Sequence, residues 1–187
     1  MHGELLSRIR AALSAQPEGP FLITIDGPCG SGKSTLAAAL SQSLGADVVH
    51  MDDFVVPHAQ KTPERLAQPG GNADAERLLS DVLEPWCATG KAVYRPYLCH
   101  EDAPGDETAV HGRVLILEGS YCNLPAIRAL ASVRLFVTVD EGTRMARLSG
   151  RVGEARLEVF RSRWIPLENA YFAAFGLPDA DCIVVPG

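Results

Sequence analysis

The run Gly27-Pro28-Cys29-Gly30-Ser31-Gly32-Lys33-Ser34, with Thr35 directly after it, satisfies the pattern G-x-x-x-x-G-K-[ST]. Glycine at Gly27, Gly30 and Gly32 lets the backbone curl until successive N–H groups point inward, and such a concavity holds phosphate oxygens. A helix starting at the end of the run adds the positive end of its dipole. Lys33 is then placed to reach β- and γ-phosphate oxygens, and the Ser34 hydroxyl to ligate Mg²⁺. Cys29, Ser31 and Thr35 complete the cradle. An accidental glycine turn would give the same letters. Context argues against it: a strand-like run precedes the motif and a helix-like run follows.

Two carboxylate positions come next. Met51-Asp52-Asp53-Phe54 follows one strand-like run and Glu118 ends another. In a parallel sheet these ends share the edge where ligands bind. Phosphoryl transfer needs a carboxylate to orient an acceptor hydroxyl and take its proton, and Mg²⁺ needs oxygen ligands. Asp52 is the base candidate and Glu118 the metal-side candidate; a helix cap or a turn is the plainer reading of each. Arg144, Arg147 and Arg151 stand at i, i+3 and i+7, one face of a helix. Arginines converging there can stabilise charge building on a transferred phosphoryl group, Arg147 and Arg151 being the better placed, whereas a solvated helix face is the alternative. Asp53 and Tyr121 lie beside the carboxylates and are candidates for the acceptor side.

The order GPCGSGKST, MDDFVVP, NADAERLLSDVLEPW and LILEGSY resembles the uridine kinase family, which includes nicotinamide riboside kinases and small bacterial uridine-kinase-like proteins. The resemblance runs from about Phe21 to Val185. It implies an ATP- and Mg²⁺-dependent kinase that transfers the γ-phosphoryl group to a hydroxyl of a nucleoside-like small molecule. Asp52 would be the general base, Glu118 would help organise Mg²⁺, and Arg147 and Arg151 would stand on a helix leading into a lid at about 150–158. Tyr94-Arg95-Pro96-Tyr97-Leu98 resembles the family's nucleoside-contacting P-x-Y-D segment, which makes Tyr97 a pocket candidate against an even alternative of core packing. Two positions depart from the family: Leu98 stands where aspartate is usual, and Gly71-Asn72 where a sugar-binding aspartate is expected. A nucleoside monophosphate kinase, a kinase for another metabolite, and a nucleotide-binding protein without kinase activity therefore remain as alternatives.

The elements that must hold these residues show in the hydropathy pattern. Leu5, Leu6, Ile9, Ala12 and Leu13 mark an opening helix, and Leu36, Leu40 and Leu44 mark one after the phosphate motif. The short apolar run Phe21–Ile25 reads as a strand buried on both faces, and Val48–Met51, Val114–Leu117, Val133–Val139 and Ile183–Val185 read as further strands. Helical patterns intervene at Leu78–Trp86, near 124–131 and at 141–150, and a Pro/Gly-punctuated stretch at 54–72 reads as an ordered loop. Alternation of this kind predicts an α/β, doubly wound parallel sheet with helices on both faces, one domain over residues 1–187. Trp164, Glu168 and Tyr171 recur at i, i+4 and i+7, with no chemical role evident.

Composition sets the limits. The chain has 187 residues, 47% apolar and 21% charged, enough for a core. Three lysines and fourteen arginines against 23 acidic residues leave a net charge of −6, which argues against a general nucleic-acid binder. A regulatory GTPase is disfavoured too, because the strand ends Leu117-Glu118-Gly119 rather than D-x-x-G and no N-K-x-D occurs. Five scattered cysteines fit free thiols in a reducing compartment, and no run of 18 apolar residues occurs, so a cytoplasmic protein without membrane contact is expected. Oligomeric state is left open.

Overall fold

The structure is a computed structural model that describes residues 2–187. Its elements in chain order are α1 (His2–Ala15), β1 (Phe21–Asp26), α2 (Lys33–Leu44), β2 (Asp47–His50), α3 (Pro63–Leu66), α4 (Ala75–Leu78) and α5 (Glu84–Thr89). They continue with β3 (Lys91–Tyr94), β4 (Tyr97–Leu98), β5 (Ala103–Pro104), β6 (Thr108–His111), β7 (Val114–Glu118), α6 (Pro125–Arg128) and β8 (Ala131–Thr138). The last are α7 (Glu141–Val152), α8 (Glu154–Val159), α9 (Ile165–Phe175) and β9 (Ile183–Pro186). Single π-helical stretches, Leu79–Leu83 and Phe160–Trp164, join α4 to α5 and α8 to α9 into continuous helices.

The main sheet has the order β2-β7-β1-β8-β9, and its four pairings are all parallel. Its strands alternate between two cores. Leu22, Val49, Leu115, Leu117 and Phe136 face Leu78, Val82, Trp86 and Tyr171. Phe21, Ile23, Ile25, Ile116 and Leu135 face Leu5, Ile9, Leu36 and Leu40 on α1 and α2. Because helices cover both faces, β1 is buried throughout, its polar Thr24 and Asp26 included. The sheet is therefore the doubly wound α/β architecture that the alternation of runs predicts.

Local differences have physical causes. The helix expected near 124–131 shrinks to the single turn of α6, and β8 begins at Ala131, since an eight-residue strand beside β1 buries Val133, Leu135 and Val137. Residues 91–111 add two small antiparallel pairs, β3–β6 and β4–β5. The stretch 54–72 is closed at its base by a bridge from Val55 to Ala73 and contains α3. The segment 150–158 is helical, with a break at Gly153 between α7 and α8.

Candidate active site

β1 delivers the chain to the phosphate motif. Gly27 turns at φ +139°, and a Cβ there would lie 2.2 Å from the Val137 carbonyl oxygen, so only glycine lets the loop leave β1 past β8. α2 starts at Lys33, which places the unpaired N–H groups of its first turn at the loop. The Lys33 ammonium donates to the carbonyls of Gly27 at 2.7 Å and Pro28 at 3.0 Å, which holds its charge inside the curl.

Parallel register sets the carboxylates level with this loop. Ile25 of β1 and His50 of β2 both pair with Glu118, so three strands end together. Glu118 Oε1 accepts the Ser34 hydroxyl at 3.0 Å and lies 2.6 Å from His50 Nδ1. Burial works to raise the Glu118 pKa, but the hydrogen bond and charge of His50, the Ser34 hydroxyl and Lys33 outweigh it and hold the carboxylate below its ordinary value. His50, bonded to Glu118, is raised in turn. Gly119 then passes at φ +135° with its Cβ position 2.6 Å from Met51 Cβ, so the end of β7 and the turn after β2 meet at bare backbone.

That turn, Met51–Phe54, separates the paired aspartates. Asp52 opens onto a cleft of about 730 Å³, while Asp53 does not line it. Water reaches Asp52, but crowding by the cleft walls raises its pKa against the pull of Lys33, with Glu118 adding repulsion. Asp53 instead accepts the Tyr94 hydroxyl at 3.0 Å, and its backbone carbonyl accepts Arg77, whose guanidinium lies 4.3 Å from the Phe54 ring centre.

The cleft brings together most of the residues singled out from sequence. Cys29, Gly30, Gly32, Lys33, Ser34 and Thr35 form one wall. Asp52, Glu118 and Tyr121 lie on another, and Arg147 and Arg151 close the side toward α7. Ser31 is buried behind the loop with its hydroxyl unpartnered, and Arg147 donates to the carbonyls of Gly30 and Ser31 at 3.3 Å each. Tyr97 lies elsewhere: it lines a neighbouring cavity of about 510 Å³, with its hydroxyl bonded to Asp102 and to the His58 amide. Arg144 turns away from the cleft onto Cys29.

Several site residues carry no role in the sequence reading. His50 is a strand residue by pattern, and only its place at a strand end marks it. Arg163 and Trp164, to which the sequence pattern assigns no role, both line the cleft, because the π stretch Phe160–Trp164 re-phases the helix. Glu168 reaches the phosphate loop itself. Asp26 is fully buried beneath the loop, accepting Gly27 N–H at 2.7 Å, the Tyr171 hydroxyl at 2.7 Å and Asn123 N–H at 3.0 Å.

A hydroxyl and a carboxylate meeting beside a phosphate cradle form a hard oxygen donor set that suits Mg²⁺. Among the described residues no three His, Cys, Asp or Glu side chains converge on a metal-sized site. Ser34 and Glu118 would thus be few protein ligands, leaving places for phosphate oxygens. No helix of the described residues is long and apolar enough to cross a membrane.

Comparison with known proteins agrees with this geometry. The family model described as "AAA domain" matches residues 23–163. A uridine kinase of Ligilactobacillus salivarius (strain UCC118) is 30% identical over 149 residues, covering 73% of this chain and 68% of that protein. A tRNA dimethylallyltransferase of Acidothermus cellulolyticus is 28% identical over 160 residues, and the chain spans only 49% of its length. A structure from Silicibacter sp. TM1040, described as a candidate fructose transport system kinase, superposes with a TM-score of 0.78 at 25% identity over 100% of this chain and 99% of that one. The fold and the phosphate loop define a P-loop nucleotide-binding protein of the AAA domain family. Within that class the chain belongs to the uridine kinase-like P-loop kinases.

Proposed function

We propose that this protein transfers the γ-phosphoryl group of ATP to a hydroxyl of a nucleoside-like small molecule, with Mg²⁺ required. The observation that supports this reading best is that the phosphate loop, Asp52, Glu118, Arg147 and Arg151 line one cleft. In it, the loop N–H groups and Lys33 bind the triphosphate, and Asp52 orients the acceptor hydroxyl and takes its proton as the new P–O bond forms. Its raised pKa makes the carboxylate a better proton acceptor. Ser34 and Glu118 would hold Mg²⁺, which when bound would neutralise the charge of the phosphates. Arg147 and Arg151 stabilise charge on the transferred group. Rotation about Gly153 would let 150–158 act as a lid that excludes water.

A second reading, a kinase for a non-nucleoside metabolite such as a sugar, is favoured by the placement of Tyr97 outside the cleft. The test for both is ADP release from Mg·ATP with nucleosides, nucleoside monophosphates, nicotinamide riboside, pantothenate and sugars. Stimulation by a nucleoside supports the first reading and stimulation by a sugar alone the second. ATP binding with no stimulated turnover across the panel would count against a kinase of either kind.

A further inference from the structure

α9 sends an acidic residue into the phosphate loop that the motif itself does not call for. Glu168 is 5% exposed, and its two carboxylate oxygens accept the Cys29 amide at 3.1 Å each. It also accepts the Ser120 hydroxyl at 2.6 Å and Arg144 Nη2 at 2.7 Å. Arg144, on α7 and also 5% exposed, donates from Nε to the Cys29 carbonyl at 3.1 Å. Cys29 is thus gripped at both of its backbone polar groups by a buried ion pair, its N–H by the carboxylate and its carbonyl by the guanidinium.

A carboxylate beside a phosphate cradle repels what the cradle binds, so its presence needs a compensating effect. Arg144 cancels the charge locally, and what remains is geometry. The rest of the loop is held in the same way. Asp26 takes the Gly27 N–H, Lys33 the Gly27 and Pro28 carbonyls, and Arg147 those of Gly30 and Ser31. With those carbonyls already engaged by side chains, the N–H groups of the first turn of α2 are left for a ligand. Cys29 sits at the middle of that arrangement, and its two partners come from the two C-terminal helices that also carry Arg147, Arg151 and Trp164.

We infer that Glu168 and Arg144 are a positioning pair that pre-sets the phosphate loop for a triphosphate. The inference rests on the phosphotransfer reading above for its ligand but not for its acceptor. The pair touches no reacting atom and acts through Cys29. It also ties α7 and α9 to the loop, so a shift of either helix is felt at the phosphates.

The test separates positioning from mere stability. Replacing a buried ion pair with apolar side chains of similar volume generally preserves the fold. R144M/E168M is therefore expected to melt close to the wild type but to bind a non-hydrolysable ATP analogue about tenfold to a hundredfold more weakly, the loss expected for a charged hydrogen bond. The acceptor KM should stay within about twofold, since no acceptor contact is changed. Wild-type affinity for the analogue in the folded double variant would overturn the inference. Should the double variant not fold, Glu168→Gln carries the same readout, because it keeps one acceptor oxygen for the Cys29 amide while removing the charge and one of the two acceptors. A several-fold loss of affinity there supports the pair, and unchanged affinity sinks it. A wild type that binds the analogue but phosphorylates nothing would remove the kinase reading and leave the pair standing. A wild type that binds no nucleotide would remove both.

Discussion

Adjacent identical side chains are given different work at Asp52 and Asp53. The turn Met51–Phe54 points Asp52 into the cleft and ties Asp53 to the Tyr94 hydroxyl at 3.0 Å. Asp52→Asn should therefore cut acceptor phosphorylation by about a hundredfold to ten-thousandfold, the usual worth of a positioned base, with ATP affinity nearly unchanged. Asp53→Asn should leave turnover within about tenfold and cost about 1 kcal/mol of stability. Rate and melting measurements on the two variants check the assignment, and equal rate losses would refute it. Asp26 makes a separate prediction. Full burial, opposed by the Tyr171 hydroxyl, the Gly27 and Asn123 N–H groups and Lys33, lifts its pKa from 3.8 to about 6. Folding thus favours the protonated form: its contribution is full below the unfolded value and is lost as pH rises through about 6. The unfolding free energy of the wild type minus that of Asp26→Asn should fall by about 3 kcal/mol between pH 3.5 and pH 7, from a shift of about two pKa units. A flat difference would show that Asp26 is not shifted. None of this is legible in sequence, because the partners Asn123 and Tyr171 stand 97 and 145 residues away. By contrast, the motif Gly27–Thr35 is legible because the residues that form the phosphate cradle are contiguous in the chain.

Elements became legible to the extent that one periodicity governed them. The five sheet strands are short apolar runs, buried nearly throughout in the central β1, β7 and β8, and all five are visible in the sequence within a few residues. What is hidden follows mixed rules. The strands β3 to β6 are two to four residues long, too short for a pattern, and Val93 is 59% exposed on one of them. The long helix from α8 to α9 carries a π stretch, which breaks the 3.6-residue period just where Trp164 turns into the cleft. Contact between elements at Gly119 gives a prediction at this scale. Its φ of +135° is hard for any other residue, and a Cβ would press on Met51 Cβ at 2.6 Å with the Met51 amide at 3.3 Å behind it. Gly119→Ala must push the turn that carries Asp52. It should cost about 1–3 kcal/mol for the strained backbone alone and lower kcat by more than it raises the KM for ATP. Proportional loss in both constants would mean that the phosphate loop moved instead.

Charge at the scale of the whole molecule opposes charge in the cleft. The chain carries −6, yet the cleft is lined by Lys33, Lys61, Arg147, Arg151 and Arg163 against Asp52, Glu118 and Glu168. Glu168 is already paired with Arg144. A triphosphate approaching an acidic protein is repelled at long range and attracted only near the mouth, where the low-dielectric walls focus the field. Long-range repulsion between solvated charges is screened at ordinary salt, whereas contacts inside the cleft are screened much less. Nucleotide affinity should therefore weaken only modestly, by less than about tenfold, between about 0.05 and 0.5 M salt, unlike a phosphate-backbone binder that loses several orders of magnitude. The same contacts act on the stability of the fold, because a ligand bound only by the native state stabilises it by mass action. At about 100 times its Kd, a Mg²⁺-bound ATP analogue should add about 2.7 kcal/mol and raise the melting temperature by roughly 5–10 °C for a chain of this size. Lys33→Ala removes the one ammonium inside the loop, so it should abolish both turnover and that shift while melting near the wild type without ligand. A Lys33→Ala protein that the analogue stabilises as much as the wild type would place nucleotide binding outside the phosphate loop, and with it the whole reading of this cleft would fail.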